Sequence, residues 1–238
     1  GKAPGVDRTG DVFKHANFAG TSPNGGVLAI VGDDHNCKSS TLPSQSEYAL
    51  MDAEMPVLNP ASIQDVLDYG LHGWAMSRFS GLWVGMVALA DTMDSGAVVD
   101  VSASRLNMVL PTDFARPGGV HLRVQDSPLE KERRLREIKL PAALAYARAN
   151  RLDQTVLRSG KPRLGLVVTG QAARDVFEAL AAIGLSPDAA ADLGVSVYKV
   201  AMPWPLEPQG LRAFCAGHER ILVIEHKRPL IEDQLRAA

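Results

Sequence analysis

Asp33, Asp34, His35 and Cys37 stand within a few residues of one another, followed directly by Ser39, Ser40 and Thr41. Two carboxylates, an imidazole and a thiol are side chains that ligate zinc and other transition metals. A thiol beside an imidazole is also the pairing of a covalent nucleophile with its base. Adjacent residues in a loop rarely all face one ion, and no second Cys-x-x-Cys or histidine pair completes a coordination sphere, so no metal site is assigned. Cys37 and His35 could act together only if side chains two residues apart converged. The competing reading is a polar loop whose Asp and Ser side chains cap the next helix and accept from its free N–H groups. Gln45 and Glu47 lie just beyond. A second polar stretch is Glu225-His226-Lys227-Arg228-Pro229, where the Glu reads as a complement to the N-terminus of a following helix. In Met202-Pro203-Trp204-Pro205-Leu206 two prolines around one Trp fix an extended loop, with the Trp packed under the neighbouring helix.

Both polar stretches follow short apolar runs, which places them at strand ends. Val27–Val31, nearly pure apolar, fits a strand buried on both faces. A helix is expected around Ser44–Ala53 and a short strand at Pro56–Leu58. Asn59-Pro60 reads as an N-cap and a first-turn proline for a helix reaching about Phe79, with Gly70 and Gly73 on a packed face. Trp83–Ala88 and Val98–Val101 are further strand candidates. Ser127-Pro128 starts a charged helix with five basic and three acidic residues between Glu130 and Lys139, whose mixed signs predict a solvated face. An Ala-rich helix spans Pro141–Asn150. Thereafter strands at Leu164–Thr169, Val195–Val200 and Arg220–Glu225 alternate with helices at Gln171–Ile183, Pro208–Ala216 and from about Arg228. Such alternation means a parallel sheet covered on both faces, and ligands in open sheets of this kind sit beyond the carboxyl ends of the strands.

The 238 residues are 46% hydrophobic and 22% charged, with a formal net charge of −2. That composition excludes a disordered chain, a collagen-like repeat and a disulfide scaffold. The near-neutral balance and 5% aromatic content argue against nucleic acid as a partner. The Gly81–Ala90 apolar run is about half of what spans a bilayer, so no membrane association is expected. Two distant cysteines, Cys37 and Cys215, and the lack of any Asn-x-Ser/Thr sequence suit a reducing cytoplasm. The opening Gly1–Asp11, without an initiator Met or a leader, reads as a loop, and the chain is expected to be a piece of something longer.

Several long runs resemble the indolepyruvate ferredoxin oxidoreductase family of thiamine diphosphate-dependent 2-oxoacid:ferredoxin oxidoreductases. They are Gly5-Val6-Asp7-Arg8-Thr9-Gly10-Asp11, His15-Ala16-Asn17 through Gly26, Gly32-Asp33-Asp34-His35 through Thr41, Gln45-Ser46-Glu47, Pro56–Pro60, Leu67–Ala75, Leu140–Asn150, Trp204–Pro208 and Glu225–Leu230. The resemblance implies an α/β fold of two mostly parallel units. Residues 1–115 would be the C-terminal part of a pyrimidine-binding (Pyr) domain, 116–160 a charged helical connector, and 161–238 a transketolase C-terminal-like domain. It implies oxidative decarboxylation of aryl 2-oxoacids to acyl-CoA with ferredoxin as electron acceptor. In the complete enzyme the cofactors would be thiamine diphosphate, Mg2+ and 4Fe–4S clusters.

The sequence departs from that pattern in three respects. Gly32-Asp33-Asp34, although followed by Asn59, lacks the second Gly that a Gly-Asp-Gly turn for Mg2+ needs. No Cys-x-x-Cys run supplies cluster ligands, and the carboxylate that contacts the pyrimidine is expected upstream of Gly1. The diphosphate-binding and iron–sulfur domains would therefore be partners supplied elsewhere in the same enzyme. By itself the fragment is expected to bind none of these cofactors and to be inactive. A homodimer is expected, with ferredoxin and CoA as partners of the whole. The candidates for lining the cofactor or substrate cleft are Asp33, Asp34, His35, Ser39, Ser40, Gln45 and Glu47, with His15 and Asn17 on the preceding loop. Two alternatives stand beside this reading. One is a structural segment whose polar loop and second domain serve domain contact and dimerisation; the other is a metal-dependent hydrolase built on Asp33-Asp34-His35.

Overall fold

The computed structural model describes residues 2–237. Helices α1 (Ala3–Arg8) and α2 (Gly10–Ala19) precede β1 (Val27–Asp33), α3 (Glu47–Asp52), β2 (Val57–Leu58), α4 (Ile63–Ser80), β3 (Trp83–Leu89) and the short α5 (Ala90–Met93). The three strands form a parallel sheet in the order β1-β3-β2. Central β3 buries Val84, Met86, Val87 and Leu89, as a strand covered on both faces must. α6 (Pro128–Arg134) runs through a π-helical turn at Leu135–Lys139 into α7 (Leu140–Ala149). A second sheet follows from β4 (Gln154–Leu157), β5 (Leu164–Thr169), α8 (Ala172–Ala182), α9 (Pro187–Asp192), β6 (Val195–Val200), α10 (Pro208–Cys215), β7 (Arg220–Ile224) and α11 (Ile231–Ala237). Its order is β4-β6-β5-β7, parallel except for the antiparallel edge strand β4. The chain is thus α/β with two mostly parallel sheets. Among the described residues no helix is long and apolar enough to cross a membrane.

The two units share one core. Leu58, Met76, Phe79 and Met86 of the first pack with Tyr146 of α7 and with Ala201 and Met202 beyond β6. Backbone bonds cross the same junction, from Val57 N–H to the Trp204 carbonyl (2.7 Å) and from Asn59 N–H to the Ala201 carbonyl (2.9 Å).

Several expectations are corrected. The opening segment is helical rather than a loop. Pro4 sits in the first turn of α1, where its missing N–H costs nothing, and Val6 joins the apolar cluster of Val31, Leu50 and Met55. α4 is capped by Ser62, whose Oγ accepts from Asp65 N–H (3.1 Å), and not by Asn59. Gly73 does lie on a packed face, against Leu28 and Leu58, but Gly70 faces open space. At the other end Gly81 takes φ +75°, and a Cβ there would run into the Val120 carbonyl. Val98–Val101 forms no strand; Val98 and Val101 are exposed, and the Asp100 backbone between them bonds to Gln64 of α4 instead. The charged helix is not solvated throughout. Arg134 and Lys139 are each only 2% exposed, because the 119–126 loop covers them. Arg134 is held there by Asp126 (2.5 Å) and by the Gly119 and His121 carbonyls. Trp204 packs on the Leu50, Met55 and Val57 cluster of the first unit rather than under its own neighbouring helix.

Candidate functional site

The carboxyl end of β1 delivers Asp33, Asp34 and His35 in three directions. Asp33 accepts from Ser46, through its N–H (2.8 Å) and its hydroxyl (2.7 Å). Asp34 turns back into its own loop and accepts N–H groups from Lys38 (2.9 Å), Ser39 (2.7 Å) and Ser40 (3.0 Å). These bonds, Ser39 N–H foremost, hold its carboxyl below the ordinary carboxylate range. The Asp34 side chain thus organises its own loop rather than capping the next helix, and α3 starts at Glu47 with no side-chain cap on its first turn. Ser39 accepts from Lys2 Nζ at its carbonyl (2.8 Å) and hydroxyl (3.0 Å), Lys38 pairs with Asp91, and Cys37 adopts φ 54°. The dispersal of Asp33, Asp34 and His35 to different partners leaves the Asp-Asp-His hydrolase without its metal triad. Among the described residues no group of three or more His, Cys, Asp or Glu side chains is placed to hold a metal ion.

His35, Gln45 and Glu47 do come together. They line a narrow cleft where the carboxyl ends of the two sheets face each other, with Asn59, Thr169, Gln171, Glu225 and His226. This is the location open α/β sheets reserve for ligands, here doubled. The free space is about 10 Å³, room for one water molecule. Glu47, at the start of α3, is 5% exposed. Its Oε1 accepts from Asn59 Nδ2 (3.3 Å), and its Oε2 has no partner among the described residues. Burial, with Asp33 adding repulsion, pushes its carboxyl up to about 7. The rings of His35 and His226 meet edge to face, with Nδ1 atoms 3.2 Å apart. Burial, then the neighbouring His226, hold the His35 imidazole below its ordinary range. His226 Nε2 lies 3.1 Å from Asp175 Oδ2. His35 Nε2 and Gln171 Oε1 are, like Glu47 Oε2, buried without a partner.

Around this cleft the units are latched together. Gln45 donates to the His226 carbonyl (3.4 Å) and accepts from Arg228 Nε (3.0 Å). Arg228 lies 3.8 Å over the Tyr48 ring, and the Tyr48 hydroxyl donates to the Pro229 carbonyl (2.7 Å). Glu225 accepts from the N–H groups of Leu230, Ile231 and Glu232, so it caps α11 as its sequence position suggests. The remaining candidates stand apart. His15 is exposed on α2 beside Asp11 (3.5 Å). Asn17 is buried and pins α2, donating to the Ala53 and Glu54 carbonyls (2.8 Å each) and accepting from Trp83 N–H (2.9 Å). Sequence reasoning missed His226, Asp175, Gln171 and Asn59. For His226 and Gln171 the available signal was their place just after an apolar strand. Asn59 carried the same signal, directly after β2 (Val57–Leu58), but was read as a helix cap; for Asp175, inside a helix, there was none.

Residues 154–238 match a family model described as an indolepyruvate oxidoreductase domain. The chain is 24% identical over 236 residues to indolepyruvate oxidoreductase subunit IorA of Methanothermobacter thermautotrophicus, covering 99% of this chain and 36% of that protein. It is 24% identical over 243 residues to the corresponding subunit of Pyrococcus abyssi, covering 99% and 35%. It therefore spans about a third of the length of these relatives. A solved structure of 2-oxoglutarate:ferredoxin oxidoreductase from Magnetococcus marinus, with 2-oxoglutarate, coenzyme A and succinyl-CoA bound, shares the fold. Its TM-score is 0.64 at 15% identity, over 99% of this chain and 47% of that one.

Proposed function

We propose that this chain belongs to the indolepyruvate oxidoreductase family and is part of an enzyme that oxidatively decarboxylates aryl 2-oxoacids to acyl-CoA and passes the electrons to ferredoxin in the cytoplasm, a reading supported by the family match over residues 154–238 and by the IorA relatives. Residues 1–115 form the later part of its pyrimidine-binding domain, 116–160 a connector, and 161–238 a transketolase C-terminal-like domain. Within that enzyme the chain builds and rigidifies one wall of the reaction cleft. The observation that carries this reading is the convergence of three partnerless buried polar atoms, on His35, Glu47 and Gln171, where the carboxyl ends of two sheets meet.

The chain's own residues do not fit the cofactors of the complete enzyme. Cys37 and Cys215 are its two cysteines, both free, and too few for a four-cysteine cluster. A cleft with room for one water does not admit thiamine diphosphate. Thiamine diphosphate, Mg2+ and the clusters would therefore be held by other domains of the complete enzyme.

The test is the full-length protein bearing His35→Ala or Asp34→Ala. Turnover is expected to fall by about 10²-fold or more while circular dichroism stays unchanged. Unaltered turnover in both variants would overturn the site. A second reading, a segment serving domain contact and dimerisation, is favoured by the latch that Gln45 makes with Arg228 and with the His226 carbonyl. Under it the same variants change sedimentation rather than the chemical step.

A further inference from the structure

The hydrogen-bond logic of the cleft fixes which nitrogen of each histidine carries its proton. Asp175 Oδ2, as a carboxylate oxygen, accepts, so His226 Nε2 is the N–H. In the neutral ring His226 Nδ1 is then a lone pair, and its neighbour 3.2 Å away, His35 Nδ1, must donate. This leaves His35 Nε2 as a buried lone pair with no partner among the described residues, lining the same small space as Gln171 Oε1 and Glu47 Oε2. Two of these three atoms can only accept. Of the three atoms, only the Glu47 carboxyl oxygen, when protonated, carries an acidic proton to give.

We propose that Glu47, a water held in this cavity, His35, His226 and Asp175 form a proton relay across the junction between the two units. Polar lining atoms and a volume of about 10 Å³ are what one internal water requires. In the outward direction the Glu47 Oε2 proton passes through the water to His35 Nε2. His35 Nδ1 gives its proton to His226 Nδ1, and His226 Nε2 gives its own to Asp175 and so to solvent. One proton enters, one leaves, and only O–H and N–H bonds change. The return of a proton from solvent restores the starting tautomers, so neither ring has to rotate. Asp175 is about half exposed, which opens the outer end, whereas Glu47 is sealed.

The charges around the relay favour its use near neutrality. Glu47 is faced by Asp33 and Glu225, which hold its proton on, and by Arg228, which opposes them. His35 is faced by His226 and Lys227, which keep it neutral, and by Asp33 and Asp91, which draw a proton toward it. Burial is the largest influence on both, holding Glu47 at about 7 and His35 low. The relay stands independently of the enzyme assignment, and its readout is proton exchange and not turnover.

Nitrogen NMR of the 238-residue chain is expected to show His35 protonated at Nδ1 and His226 at Nε2. Carbon NMR is expected to show the Glu47 carboxyl exchanging rapidly with solvent. In His226→Phe the Glu47 titration midpoint stays near its wild-type value while its proton exchange slows by about 10²-fold. Asp175→Leu, at a half-exposed position, removes the acceptor for His226 Nε2–H and yields mixed tautomers in both rings. The opposite tautomers in the wild-type chain, unslowed Glu47 exchange in His226→Phe, or unaltered tautomers in Asp175→Leu would each overturn the relay.

Discussion

Glu47 couples the cleft to folding through its proton. In the unfolded chain its carboxyl titrates near 4.5, and in the folded protein burial holds it at about 7. Between those values the unfolded state has lost a proton that the folded state keeps, so this group makes stability fall as pH rises through the window and adds no further loss above it. Glu47→Gln keeps an acceptor for Asn59 and cannot ionise. Its stability relative to wild type is expected to improve by about 3 kcal/mol between pH 4 and pH 8, measured by urea unfolding at both. Asp153, also pushed to about 7 by burial, is present in both proteins and cancels in the difference. At this scale the sequence is informative about chemistry within a loop and silent about partners. Asp34 and its serines could be read locally because their bonds span only a few residues. His35 and His226 are 191 positions apart, and no spacing rule joins them.

The helices and strands were legible where apolar pattern alone decides them. Val195–Val200 and the Leu164–Thr169 strand form over the residues their runs predict, because both faces of a central parallel strand are buried. Caps were less legible, since several nearby polar residues compete for one role. Asn59 is a good capping residue by type, but Glu47 and the Ala201 carbonyl claim its side chain and backbone, and Ser62 caps α4 instead. Ser62→Ala is expected to cost about 1 kcal/mol, read as a lowered urea midpoint with an unchanged slope; a neutral substitution would return the cap to Asn59. Asp65 adds to the same turn, accepting from Ala61 N–H (2.9 Å) while holding Lys199 of β6 (2.6 Å), so one helix start is tied to the second sheet.

At the scale of the whole molecule the junction is a core and not a linker. Leu58, Met76 and Tyr146 pack with Met202, and Trp204 reaches into the first unit's cluster. Units that share buried apolar surface lose stability together. Calorimetry of the chain is therefore expected to show one transition whose calorimetric and van 't Hoff enthalpies agree; two resolved transitions would mean that the units are thermodynamically separate.

What the amino-acid sequence determined by itself is the α/β class, most of the strands, and the polar loop that ends the first of them. These follow from composition, from short-range periodicity, and from side chains that satisfy nearby backbone. Only the tertiary structure decided that the opening residues are helical, that Arg134 and Lys139 are buried, and that His35 and Glu47 face His226 and Gln171. Each depends on which surface packs over which, and burial and pairing between residues far apart in the chain are properties of the assembled fold, with no local signature to read beforehand.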